Sequence, residues 1–170
     1  LAATAGGIYA STDGGASWAE LFTGRSSSVA FHPRDGNRRI AALNDGSLRI
    51  SSDGVNWIRS GIVAASNALT RLAWAPSDPN RLYALVNVNH NSVLYQSRNG
   101  GMDWAAVPTQ PALAFATGRD MLSFTGAIWV DPTNPDRIAV GEYAAAITDD
   151  VTAATVVWSR LFAFGDHHQF

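Results

Sequence analysis

Three carboxylates, Asp120, Glu142 and Asp166, fall in the less regular second half of this chain. Two carboxyl groups that flank a sugar linkage can cleave it, one as acid and the other as base or nucleophile. These three are the candidate catalytic set for such a reaction. Arg119, Tyr143, His90, His167 and His168 lie in the same kind of segment and are the candidate ligand-binding residues. The alternative reading of all of them is solvated loop charge, with Arg119 and Asp120 only local neighbours. Asp166, His167 and His168 also raise metal chemistry, because imidazole and carboxylate suit zinc and similar ions. Adjacent strand residues point to opposite faces, so two neighbouring His rings ligate one ion only from a loop. The reading taken is a strand entry with one buried and one exposed His. No metal and no cofactor are assigned.

Composition narrows the partners. Net charge is -2, and all 12 basic residues are Arg with no basic run, which argues against nucleic acid. There is no Cys, so disulfides and thiolate metal sites are excluded. That composition fits a periplasmic or extracellular protein of bacterial type. No apolar stretch reaches the length of a membrane span. The first residue is Leu, so the chain is read as a mature product or a fragment. Asp13-Gly14-Gly15 and Asn99-Gly100-Gly101 enter strands, whereas a phosphate cradle opens a helix.

A repeat must position these groups. Ser11, Asp13, Gly15 and Trp18 form an S-x-D-x-G-x-x-W unit. Ser51, Asp53 and Trp57 repeat it one residue shorter, and Ser97, Asn99, Gly101 and Trp104 repeat it with Asn for Asp. A fourth pass, Thr148 to Trp158, is stretched and degenerate. Periods of about 40–50 residues mean blades, solenoids or arrays. Apolar runs also end at Pro33, Pro76 and Pro132, each followed by turn residues and then Arg39, Arg81 or Arg137 with a second apolar run. Proline stops a ladder, so these runs read as strands closed by turns. A third strand leads into each Ser-x-Asp unit and a fourth begins at the Trp. Four short antiparallel strands per repeat are the content of one propeller blade, giving an all-β fold.

These residues resemble the Asp-box, or BNR-repeat, β-propellers, a superfamily that includes sialidases, xyloglucanases, sortilin-type receptors and photosystem II assembly factors. The resemblance covers nearly the whole chain. It implies about three full blades with partial blade strands at both termini. The approximate blades are 1–22 (partial), 28–60, 71–108, 126–162 and 167–170 (the start of the next). The chain is read as a piece of a larger propeller, completed by its remaining blades or by another chain; the alternative is that the termini close a fourth blade. The resemblance places the Asp boxes between the third and fourth strands. There Ser, Asp or Asn, Gly and Trp at the numbered positions are read as structural, holding tight turns.

Turns that alternate in direction put the Asp boxes and the Pro turns on one face. The other face carries Leu21 to Ser28, Asn44 to Gly46, Ser60 to Thr70, Asn87 to Asn91, Val107 to Thr125, Gly141 to Ala144 and Phe162 to His168. Function concentrates in variable loops on a rigid scaffold, so a ligand belongs on that second face. The resemblance implies two functions. One is a non-catalytic module that binds a glycan or a protein, or assists assembly. The other is a glycoside hydrolase of xyloglucanase or sialidase type. The Arg-Ile-Pro motif of sialidases and the Arg-Thr-Asp-x-Gly-Gly opening of xyloglucanases are both absent. His32, before Pro33, and the recurring Arg39, Arg81 and Arg137 are read as structural.

Overall fold

A computed structural model describes residues 1–63, 68–88, 91–111, 126–141 and 144–163. Its strands form four antiparallel sheets in chain order. The first has three strands, β1 (Ala2–Ala3), β2 (Gly7–Ala10) and β3 (Ala19–Thr23). The second runs β4 (Ser26–His32), β5 (Asp35–Leu43), β6 (Ser47–Ser51) and β7 (Ile58–Val63). The third runs β8 (Leu69–Trp74), β9 (Leu82–Val88), β10 (Asn91–Ser97) and β11 (Ala105–Ala106). The fourth runs β12 (Ala127–Val130), β13 (Ile138–Gly141), β14 (Ala144–Thr148) and β15 (Ser159–Ala163). Each sheet pairs strands in sequence order, so every connection within it is a hairpin. The described residues contain no helix. This is an all-β fold of propeller blades.

The second strand of a blade is apolar at consecutive positions because both of its faces are covered. In β9, Leu82, Ala84 and Val86 pack against the second sheet, in one cluster with Ile40, Ala42 and Leu48. Tyr83 and Leu85, pointing the other way, join Ile138, Val140 and Ala146 of the fourth sheet. In β5, Ile40 and Ala42 face the third sheet while Ala41 and Leu43 face Ile8 and Phe22 of the first. Each core cluster thus lies between two blades. Burying one such Leu or Ile stabilises by about 1.5–3 kcal/mol.

The first strands β4, β8 and β12 lie side by side at the inner rim. Their direct links are side chain to backbone. Thr70 and Leu72 donate their amides to Ser27 Oγ (3.1 Å) and Ser28 Oγ (3.2 Å). Arg71 spans three blades: Nη1 donates to Ser27 O at 3.0 Å and Nε to Gly126 O at 3.1 Å.

One local expectation needs correction. The turn residues expected after Pro33 include Asp35, Gly36 and Asn37, and these three lie within β5. The hairpin closes more tightly, with His32 opposite Asp35, and a register shift between Phe31 and His32 absorbs the extra length. The turns after Pro76 and Pro132 are wider. There Ala75 N donates to Arg81 O (3.0 Å) and Asp131 N to Arg137 O (2.9 Å). The recurring arginines also differ in role. Arg39 Nε donates back along its own strand to Gly36 O, 2.8 Å away. Arg81 reaches Gln96 on the next strand (3.2 Å) and lies 3.0 Å from Asp136 of the next blade. Arg137 pairs with Asp131 and Asp149 of its own blade, at 3.3 and 2.9 Å.

Candidate functional site

Every candidate catalytic and ligand-binding residue read from the sequence lies outside the described residues. These are Asp120, Glu142 and Asp166, and Arg119, Tyr143, His90, His167 and His168. The structure instead describes what holds the bases of the segments that carry them. The long link after the third blade starts at Gln110. Its side-chain amide takes the place of a peptide: Oε1 accepts from Leu94 N (2.7 Å), while Nε2 donates to Leu94 O (3.2 Å) and Val107 O (2.6 Å). At the far end of that link, Gly126 O is held by Arg71. The hairpin around 89–90 is closed below by Asn87, which is buried and donates from Nδ2 to Ser92 Oγ at 2.9 Å. Sequence reading missed Gln110 and Arg71. The one signal for Arg71 was a lone cation inside the strand Leu69–Trp74, which is otherwise apolar but for Thr70.

The opposite face carries the Ser-x-Asp turns. In the first, Ser11 Oγ donates to Asp13 Oδ1 (2.8 Å) and accepts from Gly15 N (2.7 Å). Asp13 accepts further from Ser17 N (2.9 Å) and Ser17 Oγ (2.6 Å). Gly14 and Gly15 take φ of 72° and 95°, a left-handed pair that L side chains resist. The third turn repeats this with Gly100 and Gly101 at 72° and 93°. Its Asn99 exchanges roles with its partner: Asn99 Nδ2 donates to Asp103 Oδ2 at 2.8 Å, where the first turn has a hydroxyl donating to a carboxylate. In the shortened second turn, Asp53 accepts from Val55 N, Asn56 N and Asn56 Nδ2.

The tryptophans close these turns. Trp18 donates to Gly15 O at 3.1 Å and Trp104 to Gly101 O at 3.0 Å. Trp57, whose turn is one residue short, is left with a buried indole N–H that has no partner among the described residues. Trp158, beyond the stretched fourth turn, reaches instead to Thr109 O of the preceding blade (2.8 Å).

These bonds fix the electrostatics of the turn face. Hydrogen bonds from the Ser17 hydroxyl and amide hold the Asp13 carboxyl well below the usual carboxylate range. Asn56 and Val55 do the same for Asp53. The Thr133 amide and hydroxyl lower Asp131 to about 2, and the Thr152 hydroxyl and amide lower Asp150. Such groups are ionised at neutral pH and cannot deliver a proton as a general acid. Among the described residues no group of three or more His, Cys, Asp or Glu could hold a metal ion.

No family model matches this sequence, and a comparison with curated proteins gives no match. Solved structures do match. An ancestral GH74 enzyme is similar with a TM-score of 0.61 at 18% identity over 94% of this chain and 23% of its own. YCF48 from Cyanidioschyzon merolae gives 0.56 at 15% identity over 82% of this chain and 40% of its own. A YCF48 structure with a bound D1 peptide gives 0.57 at 15% identity, over 79% and 39%. An auxiliary nutrient binding protein from Bacteroides thetaiotaomicron gives 0.57 at 13% identity, over 85% and 37%. The chain therefore spans between about a quarter and two fifths of the length of these proteins. At these identities the likeness establishes the class, a β-propeller fold, and that fold alone.

Proposed function

We propose that this chain is a non-catalytic Asp-box propeller module that acts outside the cytoplasm, in the periplasm or beyond the cell. It binds a glycan or a protein, or assists an assembly. The observation that carries this reading is how the described scaffold is held, with its turn acids engaged as structural groups and its loop bases fixed by side chains. Asp13, Asp53, Asp131 and Asp150 are all occupied by turn donors and held ionised, as structural groups are. The loop bases are fixed by Gln110, Arg71 and Asn87, which suits a rigid binding scaffold. Among proteins of this fold, one is named a nutrient binding protein and another holds a D1 peptide.

The fourth sheet supplies the partner surface. Its outward row runs Trp129, Ala139, Ile147 across the strands. The corresponding row of the third sheet holds Ala73 and Tyr83, which pack against the fourth sheet. Trp129 is 47% exposed. Further blades, of this protein or of another chain, cover this row. Sedimentation tests that: self-association of the isolated chain is expected, and a clean monomer at high concentration overturns it. Fractionation of expressing cells tests the extracytoplasmic placement.

A second reading is glycoside hydrolysis of xyloglucanase or sialidase type, supported by Asp120, Glu142 and Asp166 and by the GH74 fold likeness. One experiment separates the two. The protein is assayed for both binding and hydrolysis of xyloglucan, sialosides and other glycans. Binding without turnover is the expected result. Turnover lost on replacing Asp120, Glu142 or Asp166 overturns the non-catalytic reading.

A further inference from the structure

On the turn face, a cleft of about 250 Å³ opens between the second and third blades. Arg38, Ser52, Asn56, Ile58, Gly100 and Met102 are among its lining residues. Arg38 is held there on three sides. Nη1 lies 3.1 Å from His32 Nε2, and the guanidinium sits 5.9 Å from the Trp74 ring centroid. It also lies so close over Gly100 that a Cβ at that position would be 2.8 Å from Nη2. A guanidinium fixed in this way has already lost most of the freedom that ligand binding would otherwise remove.

Its charge is not neutralised locally. Among the described residues no carboxylate lies within ion-pair distance of Arg38, whereas Arg81 and Arg137 each have two. In the turns on either side, Asp53 accepts from Ser51, Val55 and Asn56, and Asp103 accepts from Asn99. The other wall is apolar and exposed, with Ile58 at 54% and Met102 at 45%. The glycine at position 100 keeps the cleft floor low enough for the guanidinium to be reached.

We propose that this cleft binds a compact carboxylate ligand with an apolar body: an apolar amino-acid carboxylate, free or at the end of a peptide. A planar carboxylate matches the guanidinium fork in two parallel hydrogen bonds. The apolar body rests on Ile58 and Met102, and Ser52 supplies a hydroxyl at the rim. The volume admits one residue or a small acid, less than a usual drug-sized site. This site is independent of the loop face and of the function proposed above.

The probe is N-acetyl-leucine, titrated into the chain by calorimetry or ligand-observed NMR, with N-acetyl-leucinamide as the uncharged comparator. Saturable binding of the acid near about 1 mM is expected, with the amide at least about tenfold weaker. Arg38→Met abolishes binding, and Arg160→Met, a change on β15 of the fourth sheet, leaves it unchanged. If Arg38→Met fails to fold, Met102→Glu replaces it. That change sits at an exposed position and offers Arg38 an internal carboxylate, so it abolishes binding in a folded protein. Tighter binding of a peptide ending in free leucine than of N-acetyl-leucine assigns the site to chain ends; the reverse order assigns it to free acids. Equal binding of acid and amide, or binding that survives both Arg38→Met and Met102→Glu, overturns the proposal.

Discussion

Trp104 of the third blade donates its indole N–H to Ser60 Oγ of the second, 2.9 Å away. The same Ser60 hydroxyl donates to Gly101 O, and Gly61 N donates to Met102 O at 3.1 Å. The third Ser-x-Asp turn is therefore also a clamp between blades. Ser60 is almost fully buried, and removing its hydroxyl breaks the link between the blades while Trp104 keeps its bond to Gly101 O. Ser60→Ala is expected to cost about 0.5–1.5 kcal/mol, read as a lowered midpoint in denaturant unfolding.

Trp57 has no such partner, and this gives a paired comparison. Trp104→Phe removes bonds to Ser60 and Gly101, whereas Trp57→Phe removes a buried N–H that has no partner among the described residues. Both lose ring volume, and Trp57 also contacts Phe22 edge to face at 5.3 Å. Trp104→Phe is expected to be more destabilising than Trp57→Phe by about 1–2 kcal/mol. Equal midpoints for the two variants would refute the role assigned to the indole bonds.

The exchanged pair Asn99 and Asp103 predicts a pH-dependent variant. Asn99→Asp sets two carboxylates against each other where an amide now donates across 2.8 Å. Stability at pH 7 should fall, and part of it should return as pH approaches about 4 and one carboxyl takes up a proton. The double change Asn99→Asp with Asp103→Ser reproduces the side-chain pair of the first turn and should recover most of the loss at pH 7. Thermal melts of both variants across that range decide the matter.

His32 predicts the pH response of the unmodified chain. A neutral imidazole has one acceptor nitrogen, yet Arg34 N points at Nδ1 and Arg38 Nη1 at Nε2, each at 3.1 Å. Protonation would leave it facing two donors. Burial first, then Arg38, lower its pKa below 6.5, against a smaller opposing effect of Asp35. Arg34 adds to the lowering. A lowered folded value means the unfolded chain binds the proton more readily. The stabilisation is thus complete above about 6.5 and is lost as pH falls from there towards the folded value. Denaturation midpoints should decline over that interval, and His32→Gln should flatten the decline.

Arg81 and Asp136 tie the third blade to the fourth. Their 3.0 Å contact is an ion pair without hydrogen-bond alignment, since Asp136 Oδ1 has no hydrogen-bond partner among the described residues. Beside it, Tyr83 donates its hydroxyl to Pro135 O at 2.6 Å. Tyr83→Phe is expected to cost about 1–2 kcal/mol, because it leaves a carbonyl short of its donor. Hydrogen exchange should then quicken at the boundary between β9 and β13 rather than within β5.

The blade was legible because its signals are local. Ser11, Asp13, Gly15 and Trp18 act on one another within a single turn, and the prolines stop strands by their own geometry. Leu82 to Val86 reads as one apolar run because each parity meets a different neighbouring sheet. What could not be read was set at long range. Arg71 finds its acceptors in two other blades, and Gln110 binds a strand that precedes it. The missing partner of Trp57 follows from a shortening that was visible, but its consequence depends on where the turn carbonyl ends up. The candidate catalytic and ligand residues lie outside the described residues, so their expectation stands as a proposal.

The Gln110 clasp has a consequence for how such a chain can change. In a hairpin, loop length and strand pairing are coupled, because the strand itself must carry the chain to the end of its partner. Here a side chain finishes the ladder at Leu94, after a last strand only two residues long. Sequence beyond Gln110 can be lengthened, shortened or exchanged without unpicking β10. That makes this position an entry point for inserted sequence, both for natural diversification and for grafting a foreign binding loop.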